Sequence, residues 1–302
     1  MPQDSYIDVE QVLGYEFEPS TFAYDERDVS LYALGVGAAA DPLDDSELRF
    51  VYEQHPAGMR VLPTFAVTFP FAANNRIFDM PGLKFHPMLL LHGEQVLELK
   101  APLAPRARLT NRACVSQVYD KGSGALILLY AHSYDEDGRE VAFNRASIFI
   151  RGLGGFGGER GTSRLRRGGP SGVSNAPPER PPDVVHSEKT RPDQALLYRL
   201  SGDRNPLHAD PSMAAQGGFD RPILHGLCTF GFGGRAVLRH FCDNDPARFK
   251  SIKVRFTKHV FPGETLVTEM WHAPDGRVLF QMKAAERDEI VISNAAVMLN
   301  EL

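Results

Sequence analysis

From Leu227 to Phe241 apolar residues recur at near-helical spacing, and Gly231, Gly233 and Gly234 let the predicted helix lie close to a sheet. The stretches Gly124 to Ser133 and Arg277 to Ala284 are rich in branched and aromatic residues and predict strands. In each half of the chain, alternating apolar and polar positions lead to an Asp-Gly pair, Asp137-Gly138 and Asp275-Gly276. Asp-Gly between such stretches signals a tight hairpin.

A faint internal repeat accompanies this patterning. Leu31-Tyr32-Ala33-Leu34-Gly35-Val36-Gly37 resembles Leu197-Tyr198-Arg199-Leu200-Ser201-Gly202-Asp203, and Leu91-His92-Gly93 echoes Leu224-His225-Gly226. Each half therefore reads as a short helix, a longer helix beginning near the His-Gly pair, and several antiparallel strands. The expected fold class is α+β: a long central helix wrapped by a curved antiparallel sheet, made twice.

Residues 151–182 separate the two copies. Gly, Arg, Pro and Ser dominate there, including Gly152-Leu153-Gly154-Gly155-Phe156-Gly157-Gly158, Pro177-Pro178 and Pro181-Pro182. Such a composition builds neither a helix nor a central strand. Arg164, Arg166 and Arg167 allow a nucleic-acid-binding tract, but few aromatics are interleaved and the net charge is -5, so a linker is the better reading. The expected domains are 1–150, the linker 151–182, and 183–302.

With 302 residues and 43% hydrophobic content, the chain can bury two modest cores. Cys114, Cys228 and Cys242 are too few and scattered for a disulfide framework or a metal motif. Neither a signal peptide nor an apolar run of about 20 residues is present. Asn300-Glu301-Leu302 is not a peroxisomal signal of the Ser-Lys-Leu type. A cytoplasmic location, with no nucleic-acid partner and no membrane, is expected by elimination.

The densest polar cluster is Ser201-Gly202-Asp203-Arg204-Asn205-Pro206-Leu207-His208. Gly202, Asn205 and Pro206 form turns, so Asp203 and His208 lie in or beside a bend that can aim both side chains at one point. The same residues also suit an Asx-turn capping a helix near Asp210, with His208 at the surface.

Tyr198-Arg199-Leu200-Ser201-Gly202-Asp203-Arg204-Asn205-Pro206-Leu207-His208, with Ala214 and Ala215 beyond, resembles the signature of the (R)-specific enoyl-CoA hydratases, the hydratase 2 or MaoC-like group. Ile223 to Leu227, Phe256, Val260 to Thr265, Leu91 to Gln95 and Asp120 to Gly124 extend the likeness over nearly the whole chain. They resemble the two-domain hydratase unit also found in peroxisomal multifunctional enzyme type 2.

The resemblance implies a double hot-dog fold and hydration of trans-2-enoyl-CoA to (3R)-3-hydroxyacyl-CoA, with no cofactor and no metal. It also implies a homodimer, and medium to long or bulky acyl chains from fatty-acid or sterol-chain metabolism. Only the second half keeps the catalytic pair: aligning Tyr32 with Tyr198 sets Gly37 opposite Asp203 and Pro42 opposite His208. The resemblance further implies that the first half has shed part of its central helix to make room for bulky acyl chains, with Pro63 to Phe71 as the apolar entry segment.

Asp203 and His208 are the expected acid and base, in an order that sequence leaves open, and Asn205 is expected to orient the water or the pair. The amide of Gly226, at a helix start, is the expected donor to the thioester oxygen. Substrate contacts implied by the resemblance are His92, Gly93, Lys121, Arg204, Pro206, Leu207 and Phe256. Lys121 either meets a CoA phosphate or is a solvated turn lysine. Lys253, Arg255 and Lys258 form a basic strand that can also reach phosphate. His225 is expected to be structural, and His259 and His272 have no partner at ligand spacing. A thioesterase or hydroxyacyl-carrier-protein dehydratase is the alternative within the fold, and a non-catalytic acyl-CoA binder the alternative outside enzymology.

Overall fold

The structure is a computed structural model and describes residues 5–161 and 174–300. The first half contains β1 (Tyr6–Ile7), α1 (Val9–Val12), β2 (Ser20–Tyr24), α2 (Glu26–Gly35), α3 (Asp45–Leu48), α4 (Phe71–Asn74), β3 (Leu83–Lys84), β4 (Leu90–Leu99), β5 (Ala107–Asp120), β6 (Gly124–Tyr134) and β7 (Glu140–Arg151). The second contains β8 (Val184–Lys189), α5 (Gln194–Tyr198), α6 (Pro211–Gln216), α7 (Gly226–Phe241), β9 (Phe249–Phe256), β10 (Thr265–His272), β11 (Arg277–Ala284) and β12 (Glu289–Leu299).

Ten strands form one antiparallel sheet in the order β2-β5-β6-β7-β4-β9-β12-β11-β10-β8. The order is a palindrome: five strands of the first half are matched by five of the second, and the halves meet at β4 and β9. That seam pairs Glu94 with Arg255 and runs to Glu98 opposite Ser251. Strands β1 and β3 make a separate small sheet.

Helix α7 begins one residue before the predicted run and is buried from Leu227 to Leu238, on every side. Two of its glycines face the other half, where a methyl group on Gly231 would overlap Val36 and one on Gly234 would overlap Thr64. The principal core crosses between the halves, uniting Tyr32, Phe65 and Phe69 with Tyr198, Phe230 and Phe280. Arg235 of α7 lies in this region, 3% exposed, bonded to Glu47 at 2.5 Å, to Glu188, and to the Val36 carbonyl at 3.1 Å.

The repeat survives at α2 and α5, whose Tyr32 and Tyr198 rings lie 6.0 Å apart. It fails at the His-Gly pairs. The long helix expected at His92-Gly93 does not form, and these residues belong to β4, whose counterpart in the sheet is β9. From Gly93 the burial of β4 alternates, with Gln95 and Leu97 inside, so a period of two wins. Short turns occupy that part of the first half instead: a 3₁₀ turn, Pro63–Thr68, then α4. Pro63 opens that turn and Pro70 follows it, and proline inside a longer helix would delete a hydrogen bond.

Both Asp-Gly turns are hairpins, with φ of +77° at Gly138 and at Gly276. They are not counterparts, however. Gly138 joins β6 to β7, whereas Gly276 joins β10 to β11, one hairpin earlier in the palindrome.

Between β7 and β8, residues 152–161 and 174–182 carry neither helix nor strand, and the cluster Arg164, Arg166 and Arg167 lies outside the described residues. Residues 174–182 cross the face of β10 and β11 turned away from α7. Trp271 donates from Nε1 to the Arg180 carbonyl at 3.0 Å, and Arg277 to Asn175 at 2.5 Å.

Candidate active site

Helix α5 runs into a 3₁₀ turn, Arg199–Ser201, that stops at Gly202. There φ is +123°, and a β-carbon would come within 2.9 Å of Phe71, so the reversal needs glycine. Three residues later Asn205 accepts the Leu207 amide at 3.0 Å and caps a second 3₁₀ turn, Pro206–His208. The chain thus bends twice within seven residues. That double bend brings Asp203 and His208 to one place.

His208 is 8% exposed, and its Nδ1 lies 2.9 Å from the Ile223 carbonyl. A carbonyl only accepts, which assigns the proton to Nδ1 and leaves the Nε2 lone pair for proton transfer. Burial lowers the pKa of His208, and the nearby Asp203 carboxylate opposes that effect. Asp203 is half-buried, and its Oδ1 accepts the Asn205 amide at 3.2 Å.

His225, immediately before α7, completes the cluster. Its Nε2 donates to the Asp203 carbonyl at 3.1 Å, and its ring stacks on His208 with centroids 3.7 Å apart and planes inclined by 29°. Ligand atoms of Asp203, His208 and His225 all lie within 4.8 Å of one another. Such a group could hold a cation, but one ring nitrogen of each histidine is committed as a donor to a carbonyl. The set suits proton transfer better than coordination.

Gly226 opens α7, and His225 supplies no side-chain cap. The first amides of a helix have no partner within it, and among the described residues none accepts from Gly226. Gly226 is exposed although the helix behind it is buried, so the positive end of a 16-residue helix reaches the surface there. Phe256 stands 3.4 Å from the place where a β-carbon of Gly226 would be.

The first half reaches this cluster through β4. At Gly93 the register slips, from His92 opposite Ile148 to Glu94 opposite Ser147, and this bulge turns His92 toward the seam. The His92 ring lies 5.0 Å from that of Phe256. Its pKa is pushed down to about 4, chiefly by burial, with the Asp203 charge among the opposing effects.

Asp203, His208, Gly226, His92 and Phe256 therefore converge, and Gly93 is the bulge residue next to His92. Arg204 and Pro206 are exposed on the same loop, Leu207 is half-buried there, and Asn205 spends its side-chain oxygen as a cap. Lys121 belongs to the first half. It lies on the β5–β6 turn, near the Arg160 carbonyl and 5.2 Å over the Tyr119 ring, at the end of the sheet where His92 also lies. Asp120 fixes that turn by accepting amides of Gly122, Gly155 and Gly157.

The basic strand is already engaged: Arg255 bonds Glu94 at 2.5 Å, Lys253 is 3.8 Å from Glu94, and Lys258 is 3.7 Å from Glu289. His259 packs between Phe219 and Phe261. Sequence reasoning missed the double contact of His225. The only trace of it was the position just before a helix.

Fold and site together define a double hot-dog protein that gathers a carboxylate and two histidines beside the start of α7. The chain belongs to the hydratase 2 family of MaoC-like hydro-lyases: residues 22–152 match the MFE-2 hydratase 2 N-terminal domain, and residues 173–295 match the MaoC like domain. It is 43% identical to the peroxisomal enoyl-CoA hydratase 2 of Arabidopsis thaliana, covering 96% of this chain and 95% of that one. It is 46% identical to the peroxisomal multifunctional enzyme type 2 of Mus musculus, but spans only 38% of that protein. A MaoC-like dehydratase from Phytophthora capsici superposes with a TM-score of 0.84 at 36% identity, over 98% of this chain and 100% of that one. A Mycobacterium tuberculosis protein with a double hotdog fold shares the architecture alone, at 16% identity and a TM-score of 0.59 over 97% of both chains. No helix among the described residues is long and apolar enough to cross a membrane.

Proposed function

We propose that the protein adds water reversibly to trans-2-enoyl-CoA, giving (3R)-3-hydroxyacyl-CoA, with Asp203 and His208 as the acid/base pair. The observation that carries this reading is the meeting of the Asp203 carboxylate and the His208 ring, a carboxylate oxygen and a ring nitrogen within 4.8 Å, beside the uncapped start of α7. A water held between the two groups loses a proton to one of them as its oxygen bonds C3. The other group, which enters the step protonated, delivers that proton to C2. Negative charge gathering on the thioester oxygen meets the Gly226 N–H, strengthened by the helix dipole. Asn205 acts by fixing the loop that carries both groups.

In this proposal residues 183–302 supply the chemistry, residues 151–182 connect, and residues 1–150 house a medium to long or bulky acyl chain, where short turns replace a helix. His92, Gly93 and Phe256 line the thioester path, Arg204, Pro206 and Leu207 border it, and Lys121 points the CoA phosphates along the β5–β6 turn. Two chains form a homodimer, which light scattering over a concentration series checks. The free thiols of Cys114, Cys228 and Cys242 suit a reducing, cytoplasmic setting.

Chiral analysis of the product from crotonyl-CoA tests the assignment. Because both groups approach one face of the alkene, only the 3R product is expected, and Asp203→Asn and His208→Gln should each lower kcat by about 10²–10⁴-fold while remaining folded. A racemic product, or full activity in either variant, refutes it.

A further inference from the structure

Four aromatic rings stand in a row behind the candidate active site. Tyr32 of α2 packs on Tyr198 of α5 at 6.0 Å, Tyr198 on His225 at 4.9 Å, and His225 on His208 at 3.7 Å. Tyr32 and Tyr198 are fully buried, and His225 is 1% exposed, so this row carries the packing of the first half to the catalytic imidazole. His225 itself offers nothing to a substrate. Its Nε2–H is spent on the Asp203 carbonyl, and its Nδ1 is buried with no hydrogen-bond partner among the described residues.

Resting on the hydratase reading, we infer that His225 is a positioning residue that fixes both members of the pair, Asp203 through its backbone carbonyl and His208 through a stacked, neutral ring. The two contacts do different things. The hydrogen bond sets where the Asp203 carboxylate starts from, and misplacement of a reacting group by about 1 Å can cost roughly 10²-fold in rate. The stack gives the His208 imidazolium an aromatic face when it carries a proton, which is an attractive arrangement only while His225 is uncharged.

The surroundings keep it uncharged. Burial holds the His225 pKa well below the usual histidine range, and His208 and Arg199 push the same way, opposed by the hydrogen bond to Asp203. The groups facing the pair are thus Asp203, Arg199, Tyr198 and, across the seam from β4, His92. Once His208 takes up a proton, a protonated His225 would set two cationic rings with centroids 3.7 Å apart. Among the described residues no carboxylate side chain hydrogen-bonds its ring to compensate.

Two substitutions separate the roles. His225→Gln carries an amide N–H toward the Asp203 carbonyl without a ring, and His225→Phe carries a ring without the donor. Both are expected to melt near the parent temperature, to keep KM for crotonyl-CoA within about twofold, and to lose about 10-fold or more in kcat. NMR titration of His208 adds a readout independent of turnover: its pKa should fall in His225→Gln and stay near the parent value in His225→Phe. Parent-like kcat in either folded variant, or a rise in KM with kcat preserved, overturns the positioning role, as does an identical His208 titration in all three proteins. If one variant does not fold, the other decides by the same criteria, and a parent protein inert toward crotonyl-CoA would refute the hydratase reading while leaving the His208 titrations to judge His225.

Discussion

Neutral histidines crowd the site, and their protonation should undermine the fold. For His92, His208 and His225 the folded-state pKa lies below the unfolded value, so the folded state binds fewer protons. Their stabilising contribution is present above the unfolded value of about 6.5 and is lost as pH falls through the folded values. The melting temperature should therefore decline as pH drops from 6.5 toward about 4, the value to which His92 is pushed. His92→Gln should flatten part of that decline, and a melting series from pH 7 to pH 4 measures it. At this scale, Asp203, His208 and Gly226 were legible because they lie close along the chain or at a recognisable helix start. The grip of His225 on the Asp203 carbonyl links residues 22 positions apart and depends on two bends closing, so no local spacing announces it.

In the proposed reaction, the start of α7 is the element on which the thioester chemistry hangs. His225 has φ of -60° and ψ of 135°, extended geometry that a residue before proline readily adopts, and proline suits the first position of a helix. Gly226→Pro should consequently keep α7 but remove the N–H. A kcat loss of about 10²–10³-fold with unchanged far-UV circular dichroism is expected, and an active Gly226→Pro would show that another donor serves the oxyanion. The elements were readable where pattern and length agreed: α7 starts one residue from its expected place, and β11 spans Arg277–Ala284 as expected. The first-half helix was misread because Leu91-His92-Gly93 repeats three letters of Leu224-His225-Gly226, whereas the residues after it alternate in and out. Three letters carry no period, and the longer pattern decided the structure.

Across the whole molecule, a buried cation ties the halves together. Arg235 and Glu47 are each 3% exposed, one on α7 and the other on α3, and Glu188 of β8 completes the group. Removing one partner of a buried pair typically costs about 3–5 kcal/mol, and with Glu188 still present Glu47→Ala should fall toward the lower side of that range. Urea denaturation measures the loss, and parent stability in Glu47→Ala would show that Glu188 suffices. The two-fold plan was legible from the Tyr32 and Tyr198 repeat. The ten-strand seam was not, since pairing across 161 positions, Glu94 to Arg255, leaves no local mark.

The seam between β4 and β9 also changes what dilution can do. Were the halves separate chains, their meeting would depend on concentration, and scarce protein would fall apart into incomplete sites. Joined through residues 151–182 and continuous in one sheet, they meet at a fixed effective concentration, in the millimolar range for about the shortest flexible tethers. The same covalent link releases the halves from identity. Two copies of one gene product must change together, whereas here one copy can keep Asp203 and His208 while the other carries Gly37 and Pro42 at the aligned positions and gives its interior to something else.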